Sequence, residues 1–285
     1  MFRSTSKILA CVFVLAASLS AQQIQVPGSL PAGEDAAFST TGSGKATFYL
    51  SGPGVARKAQ IDLGSAVHVR GTELQNAGAY LAVVCADSCQ TTQFYVVAAD
   101  PARLAFIVHP SRVPVAHSDA ISGVALPFDK FENLILKPLA VDFHLTTGNT
   151  SLLSRSVQSE NGVAWFRTAS GKTAGKLQVE AALPSVTAVR AVQEVASDPC
   201  NLRITGQRTT KGVLVETDPV RDCSGNILPD GTIVTFTLSG ENGKSTVDAP
   251  IKQGIAKADI PANGPQTVSV ASGVVMGNDL HIGGR

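Results

Sequence analysis

Asp129-Lys130-Phe131-Glu132-Asn133 returns 93 residues later as Asp222-Cys223-Ser224-Gly225-Asn226. Downstream of each copy stands the same alternating triplet, Val141, Phe143 and Leu145 after the first and Val234, Phe236 and Leu238 after the second. A third block matches with a slip of one residue, Asn161-Gly162-Val163-Ala164 against Gln253-Gly254-Ile255-Ala256. An Asp/Asn turn followed by apolar residues two apart describes a turn feeding a strand that buries one face. Self-similarity at a fixed, long spacing is the mark of a duplicated structural unit. Residues 100–195 and 196–285 are therefore expected to be two copies of one domain.

The residues before them are more divergent. Ala77-Gly78-Ala79-Tyr80-Leu81-Ala82 still aligns with Ala174-Gly175-Lys176-Leu177-Gln178-Val179, so residues 22–99 are read as a third domain of the same general kind. Asp100-Pro101 and Asp198-Pro199 fall at the two joins, where proline stiffens a short connection. No window sustains apolar spacing at i, i+3, i+4 and i+7. Short period-2 runs recur instead, bounded by Gly, Pro, Asn and Asp; Tyr80 to Cys85, Leu104 to Val108, Leu177 to Ala181 and Val213 to Glu216 are examples. Many short strands with frequent turns predict an all-β chain of tandem sandwiches, three domains in a row.

On these residues the second and third domains resemble the bacterial immunoglobulin-like repeats of invasin/intimin type. That family's pattern is an acidic residue, a turn ending in Gly-Asn, a V-x-F strand, then an N-G-x-A strand and an A-G turn. Asp222, Gly225, Asn226, Val234, Phe236, Gly254 and Ala256 match it in the third domain. In the second domain the matches are Asp129, Phe131, Asn133, Val141, Phe143, Asn161, Gly162, Ala164, Ala174 and Gly175. The second copy departs by placing Glu132 where glycine is expected, which argues against a left-handed residue there. Asn76-x-Gly78-x-Tyr80 resembles the tyrosine corner of immunoglobulin-type sandwiches, in which the hydroxyl returns to backbone a few residues upstream. The resemblance implies a stalk or adhesion role; in that family such repeats mostly carry a separate tip domain, and none is evident here.

Arg3 and Lys7, an apolar run from Ile8 to Ala17 and Ser18-Leu19-Ser20-Ala21 form the pattern of a secretory signal peptide, residues 1–21, cut after Ala21. The run is shorter than the about 20 apolar residues a membrane span needs, and no later stretch is apolar enough for one. Removal of this segment leaves 21 basic residues against 22 acidic ones, a net charge of −1. A near-neutral chain without a concentrated basic patch points away from nucleic acid. Cys11 leaves with the signal, and four cysteines remain for an oxidising compartment. Their clustering favours Cys85 with Cys89 and Cys200 with Cys223, as structural staples. Cys85-Ala86-Asp87-Ser88-Cys89 has the spacing of neither a redox C-x-x-C nor a zinc knuckle.

The most enzyme-like residues are His109, Ser111, His117, Ser118, Asp119 and His144, which have the types required for a serine nucleophile, a base and an orienting acid. No G-x-S-x-G elbow accompanies them, and Pro110 to Ser118 read as a connection between strands. His109, His117 and Asp119 are also donor types for zinc or copper, without a specified further ligand. Asp129 and Asp222 lack the dense acidic spacing of a calcium loop and are expected to bond their own turns. No catalytic site, cofactor or metal is assigned.

The expected function is that of an exported, non-enzymatic structural or interaction protein, periplasmic, surface-associated or secreted, whose partner is an unknown protein or polysaccharide. A carbohydrate-binding or accessory module is the alternative, disfavoured by a single Trp and three Tyr, and a small hydrolase stands behind it. That tryptophan, Trp165, is the candidate partner contact. The repeat aligns Ala164 with Ala256, Phe166 with Ala258 and Trp165 with Lys257, so alternation turns Ala164 and Phe166 inward and Trp165 outward.

Overall fold

The structure is a computed structural model that describes residues 23–241, 243–261 and 264–283. The expected signal segment, residues 1–21 with Cys11, lies outside the described residues. The chain divides into two compact units at the Ala99/Asp100 boundary. Among the described residues, β-strands supply almost all regular structure, and no helix is long and apolar enough to cross a membrane.

The first unit is a sandwich. Its three-stranded sheet runs in the order Gln23–Gln25, Ala36–Thr41, Ala66–Val69, and its five-stranded sheet in the order Ser29–Pro31, Cys89–Val97, Gly78–Cys85, Lys45–Gly52, Val55–Asp62. Phe38, Phe48, Tyr80 and Phe94 fill the space between them, all fully buried, with the Tyr80 and Phe94 rings stacked at 5.4 Å. The Tyr80 hydroxyl donates to the Asn76 carbonyl at 2.9 Å, four residues upstream, which is the tyrosine-corner geometry. Burial pushes the Tyr80 pKa up, opposed by this backbone bond. A bond of this kind contributes about 0.5–1.5 kcal/mol net. Cys85 and Cys89 are joined across the turn end of the hairpin formed by Gly78–Cys85 and Cys89–Val97.

The second unit holds two further sandwiches, each with its own core. In the first of them, Ala164–Thr168, Ile121–Phe128 and Arg103–His109 form one sheet in that order. Arg112–Pro114, Val186–Val195, Gly175–Leu183, Ala140–Thr147 and Thr150–Gln158 form the other. Phe106, Phe143 and Phe166 meet between the sheets, at centroid distances of 5.9 and 4.6 Å along the chain of rings. In the last sandwich, Ile204–Thr209, Gly212–Thr217 and Lys257–Ile260 face a sheet built on Gly243–Pro250, Ile233–Gly240 and Gln266–Ser272, with Val275–Met276 and Leu280–Ile282 added to Gln266–Ser272.

The repeat is reproduced bond for bond. Asp129 Oδ1 accepts from the backbone N–H of Phe131 at 2.8 Å and of Asn133 at 2.9 Å, while Oδ2 accepts from Asn133 Nδ2. Asp222 Oδ1 accepts from the N–H of Ser224 and Asn226, both at 2.9 Å, and Oδ2 from Asn226 Nδ2 at 3.0 Å. The slipped block is a two-residue turn in each copy: Asn161-Gly162 (φ 50° and 80°) is closed by Glu160 against Val163, and Gln253-Gly254 (φ 51° and 83°) by Lys252 against Ile255. Positive φ at both central residues is the signature of the type I′ turn. The sequence argument against a left-handed residue at Glu132 is overturned: its φ is 66°, beside 89° for Gly225 in the sister turn. The carboxylate network of Asp129 imposes the turn, and the Glu132 side chain reaches out to an ion pair with Arg103. Val141, Phe143 and Leu145, like Val234, Phe236 and Leu238, all point into their cores.

Candidate functional site

The enzyme-like residues do not converge. His109 ends the strand Arg103–His109 with an exposed side chain, and its carbonyl accepts from Ser122 Oγ at 3.3 Å. His144 lies on Ala140–Thr147 in the opposite sheet of the same sandwich, where its ring Nδ1 meets Ser154 Oγ at 3.1 Å. His117 is exposed in the connection after Arg112–Pro114, beside an open cleft lined also by Arg112, Asp198 and Ile233. Among the described residues no group of three or more His, Cys, Asp or Glu side chains is placed to hold a metal ion. Asp129 and Asp222 direct their carboxylates into their own turns, as given above.

Asp222 and Asn226 serve a second purpose, at the joint between the two sandwiches of the second unit. Asn226 Oδ1 accepts from the Ala174 N–H at 2.8 Å and its Nδ2 donates to the Lys172 carbonyl at 2.8 Å. Both partners belong to the turn that precedes Gly175–Leu183 in the neighbouring sandwich. Asp222 Oδ2 also accepts from Ser197 N–H in the connecting segment at 3.1 Å. Cys200 and Cys223 are joined, so the connection and the turn are one covalent piece. Burial works to raise the Asp222 pKa, but the bonds from Asn226, Ser197 and Ser224 outweigh it and hold the carboxyl below its ordinary value.

Trp165 stands outward on the strand Ala164–Thr168, 61% exposed between the buried Ala164 and Phe166. It is one corner of an apolar sheet face that the sequence reading missed. Pairing register places Trp165 beside Val124, and Val124 beside Ile107, in one row across the three strands. Ile107 is 62% exposed. The next outward rows add Leu126 with Ala105 and Phe128 with Arg103, while the row above carries Arg167, Ser122 and His109. Arg103 lies 4.4 Å from the Phe128 ring centroid and is ion-paired with Glu132. The middle strand of this face, Ile121-Ser122-Gly123-Val124-Ala125-Leu126-Pro127-Phe128, is apolar at every position except Ser122.

The sister sandwich provides an internal control. The row equivalent to Ile107, Val124 and Trp165 is Thr205, Glu216 and Lys257, with Lys257 Nζ and the Glu216 carboxylate paired at 2.8 Å. The next row is Gln207, Leu214 and Asp259. In the first unit the corresponding outer face carries Gln25, Ser39 and Ala66, with Ala37 beside His68. One fold thus shows the same face solvated in two sandwiches and apolar in the third.

No family model matches the chain, and no curated protein matches it. Among solved structures it is similar to FdeC, an Escherichia coli adhesin, at a TM-score of 0.63 and 16% identity, covering 90% of this chain and 94% of that one. It is similar to invasin, a bacterial integrin-binding protein, at a TM-score of 0.53 and 12% identity, covering 92% of this chain and 59% of that one, and so spans less than two thirds of invasin's length. It is similar also to InvD of Yersinia pseudotuberculosis, at a TM-score of 0.51 and 13% identity, with 90% and 96% covered. At these identities the likeness is one of fold, and it agrees with the Asp/Asn turns, the I′ turns and the paired sheets: in fold, the chain is a tandem array of immunoglobulin-like β-sandwiches, similar to those of the three bacterial proteins above.

Proposed function

We propose that the chain is an exported, non-enzymatic, adhesion-type module, with immunoglobulin-like domains at 22–99, 100–195 and 196–285, acting at a cell surface or in the periplasm. The observation that carries this reading is the outer face around Trp165. An apolar platform retained where its sister has an ion pair marks a surface that is covered in use. Likeness to FdeC and invasin supports adhesion as the class of function, and two disulfides suit an oxidising compartment. A protein partner fits the face better than a polysaccharide: its one indole stands among aliphatic side chains, and the Ser122 hydroxyl is already committed to the His109 carbonyl.

The test is adherence. Beads coated with the mature chain are compared with beads carrying Trp165→Lys, which installs the sister residue. Loss of bead attachment to cells or to immobilised surface protein, with an unchanged melting temperature, supports the reading. Equal attachment by both coats removes the face from the function.

A further inference from the structure

The geometry points to a binding surface of another kind on the first unit: a diagonal of Tyr49, Leu81 and Tyr95, on the outer face of its five-stranded sheet, that takes an acidic polysaccharide. This goes beyond the reading above, which concerns a different sandwich and a different class of partner.

Pairing register fixes the rows of that face. Lys58, Tyr49, Val83 and Thr91 stand side by side on Val55–Asp62, Lys45–Gly52, Gly78–Cys85 and Cys89–Val97. The next row is Ala56, Ser51, Leu81 and Gln93, and in the third Ala79 stands beside Tyr95. Each step from Tyr49 to Leu81 to Tyr95 thus moves one strand over and one row on, which makes a straight diagonal. The three side chains are 37%, 43% and 51% exposed. With strands about 4.8 Å apart and outward positions about 6.8 Å apart, the ends of the diagonal lie roughly 17 Å from each other. Gln93 Nε2 donates to the Tyr95 hydroxyl at 2.9 Å and steadies that ring. The Cys85–Cys89 bond ties together the two strands that carry Leu81 and Tyr95, so the track is ordered before a ligand arrives.

The other sandwiches lack this track. Traced in the same way from the residue after the buried Phe143, the diagonal reads His144, Gln178 and Gln193. From the residue after the buried Phe236 it begins with Thr237 and Thr267. Two of the chain's three tyrosines therefore sit on one outward diagonal of one sheet, while the third, Tyr80, fills the core.

Width and charge select the occupant. The track is one side chain wide, with the hydroxyls of Ser51 and Thr91 and the amide of Gln93 beside it, whereas a protein partner of ordinary size covers about 800 Å². A chain of pyranose rings has the matching form, since its C–H faces stack on the electron-rich faces of tyrosine rings and its hydroxyls meet the polar flanks. Lys58 is the one charged side chain in the three rows. Its ammonium lies 5.7 Å from the Tyr49 ring centroid, and among the described residues no carboxylate pairs with it. The neighbouring Lys45 and Asp62 satisfy each other. An unopposed cation at one end of a stacking track is complementary to an acid group on the sugar that covers Tyr49.

Affinity electrophoresis of the full mature chain tests this, in native gels containing polygalacturonate, hyaluronate or dextran sulfate. Methyl-esterified polygalacturonate and unsulfated dextran are the neutral counterparts. The expected result is retardation by an acidic polymer and none by its neutral counterpart, with the carboxylate and sulfate gels telling which acid group is taken. Tyr95→Gln and Tyr49→Thr install the residues of the sister sandwiches and leave the net charge unchanged. Each is expected to raise the dissociation constant at least about tenfold, the scale of one lost aromatic stack, while melting with the wild type as exposed positions do. Lys58→Gln is expected to weaken retardation as well, and Trp165→Lys to leave it in place. Absence of retardation in every acidic gel overturns the inference, and equal retardation by a neutral counterpart overturns the role of Lys58. Retardation that survives both tyrosine substitutions is an effect of overall charge and removes the site. Because Trp165→Lys probes only the other face, the bead experiment and the gels fail independently.

Discussion

Glu132 holds a conformation that its repeat assigns to glycine. With φ at 66° it occupies the left-handed region, which costs an L residue with a Cβ about 1–2 kcal/mol. The turn persists because Asp129 collects the N–H groups of Phe131 and Asn133 and fixes the backbone on both sides. The Glu132 side chain makes an ion pair with Arg103, whose members are 64% and 47% exposed, a kind of pair worth little in water. Glu132→Gly is thus expected to stabilise the protein by about 0.5–1 kcal/mol, after the extra backbone freedom of glycine in the unfolded chain is subtracted. Urea denaturation measures it, and a loss of stability would mean that the Arg103 contact outweighs the strain.

At the scale of the strand, Ala164–Thr168 separates structure from function by the direction of adjacent side chains. Phe166 is 1% exposed and packs against Phe143 with ring centroids 4.6 Å apart, so Phe166→Ala is expected to cost about 3–5 kcal/mol. Trp165→Ala next to it should cost less than about 1 kcal/mol, since its ring is already largely in water. A comparable loss in both variants, by chemical denaturation, would place the indole in the core. The direction of Trp165 was legible in the sequence because a lysine occupies its place in the sister copy and alternation along a strand leaves two choices. The face around it was not. Past Ser122, the strand Ile121–Phe128 is apolar on both sides, and such a run reads equally as a strand buried on both faces. The turns were legible for the opposite reason: Asp, Asn and Gly act on their own neighbours, within four residues.

Across the second unit, the joint between sandwiches could not be read from sequence, since Asn226 finds Ala174 and Lys172 at separations of 52 and 54 residues. Its hub is Asp222, buried at 4% exposure and accepting from Ser197, Ser224 and Asn226. Desolvation opposes the charge on this carboxylate, yet the hydrogen bonds win and its pKa lies below the ordinary value. A folded-state pKa that is depressed contributes stability that is present above the unfolded-state value, near 3.9, and is lost as pH falls through the folded one. Protonation removes the acceptor that orients Asn226 and ties Ser197 to the turn, so the last sandwich and its joint should weaken together in acid. Asp222→Ala is expected to destabilise the last sandwich by about 1 kcal/mol or more at neutral pH, the cost of leaving the part-buried N–H groups of Ser197, Ser224 and Asn226 without their acceptor. The difference between wild type and variant should shrink as pH drops below about 4. Denaturant titrations at neutral pH and near pH 2.5, followed by hydrogen exchange at Ser197, Ser224 and Asn226, measure both effects. A gap that stays constant with pH would mean that the Asp222 side chain acts through packing, and that its charge does not hold the joint.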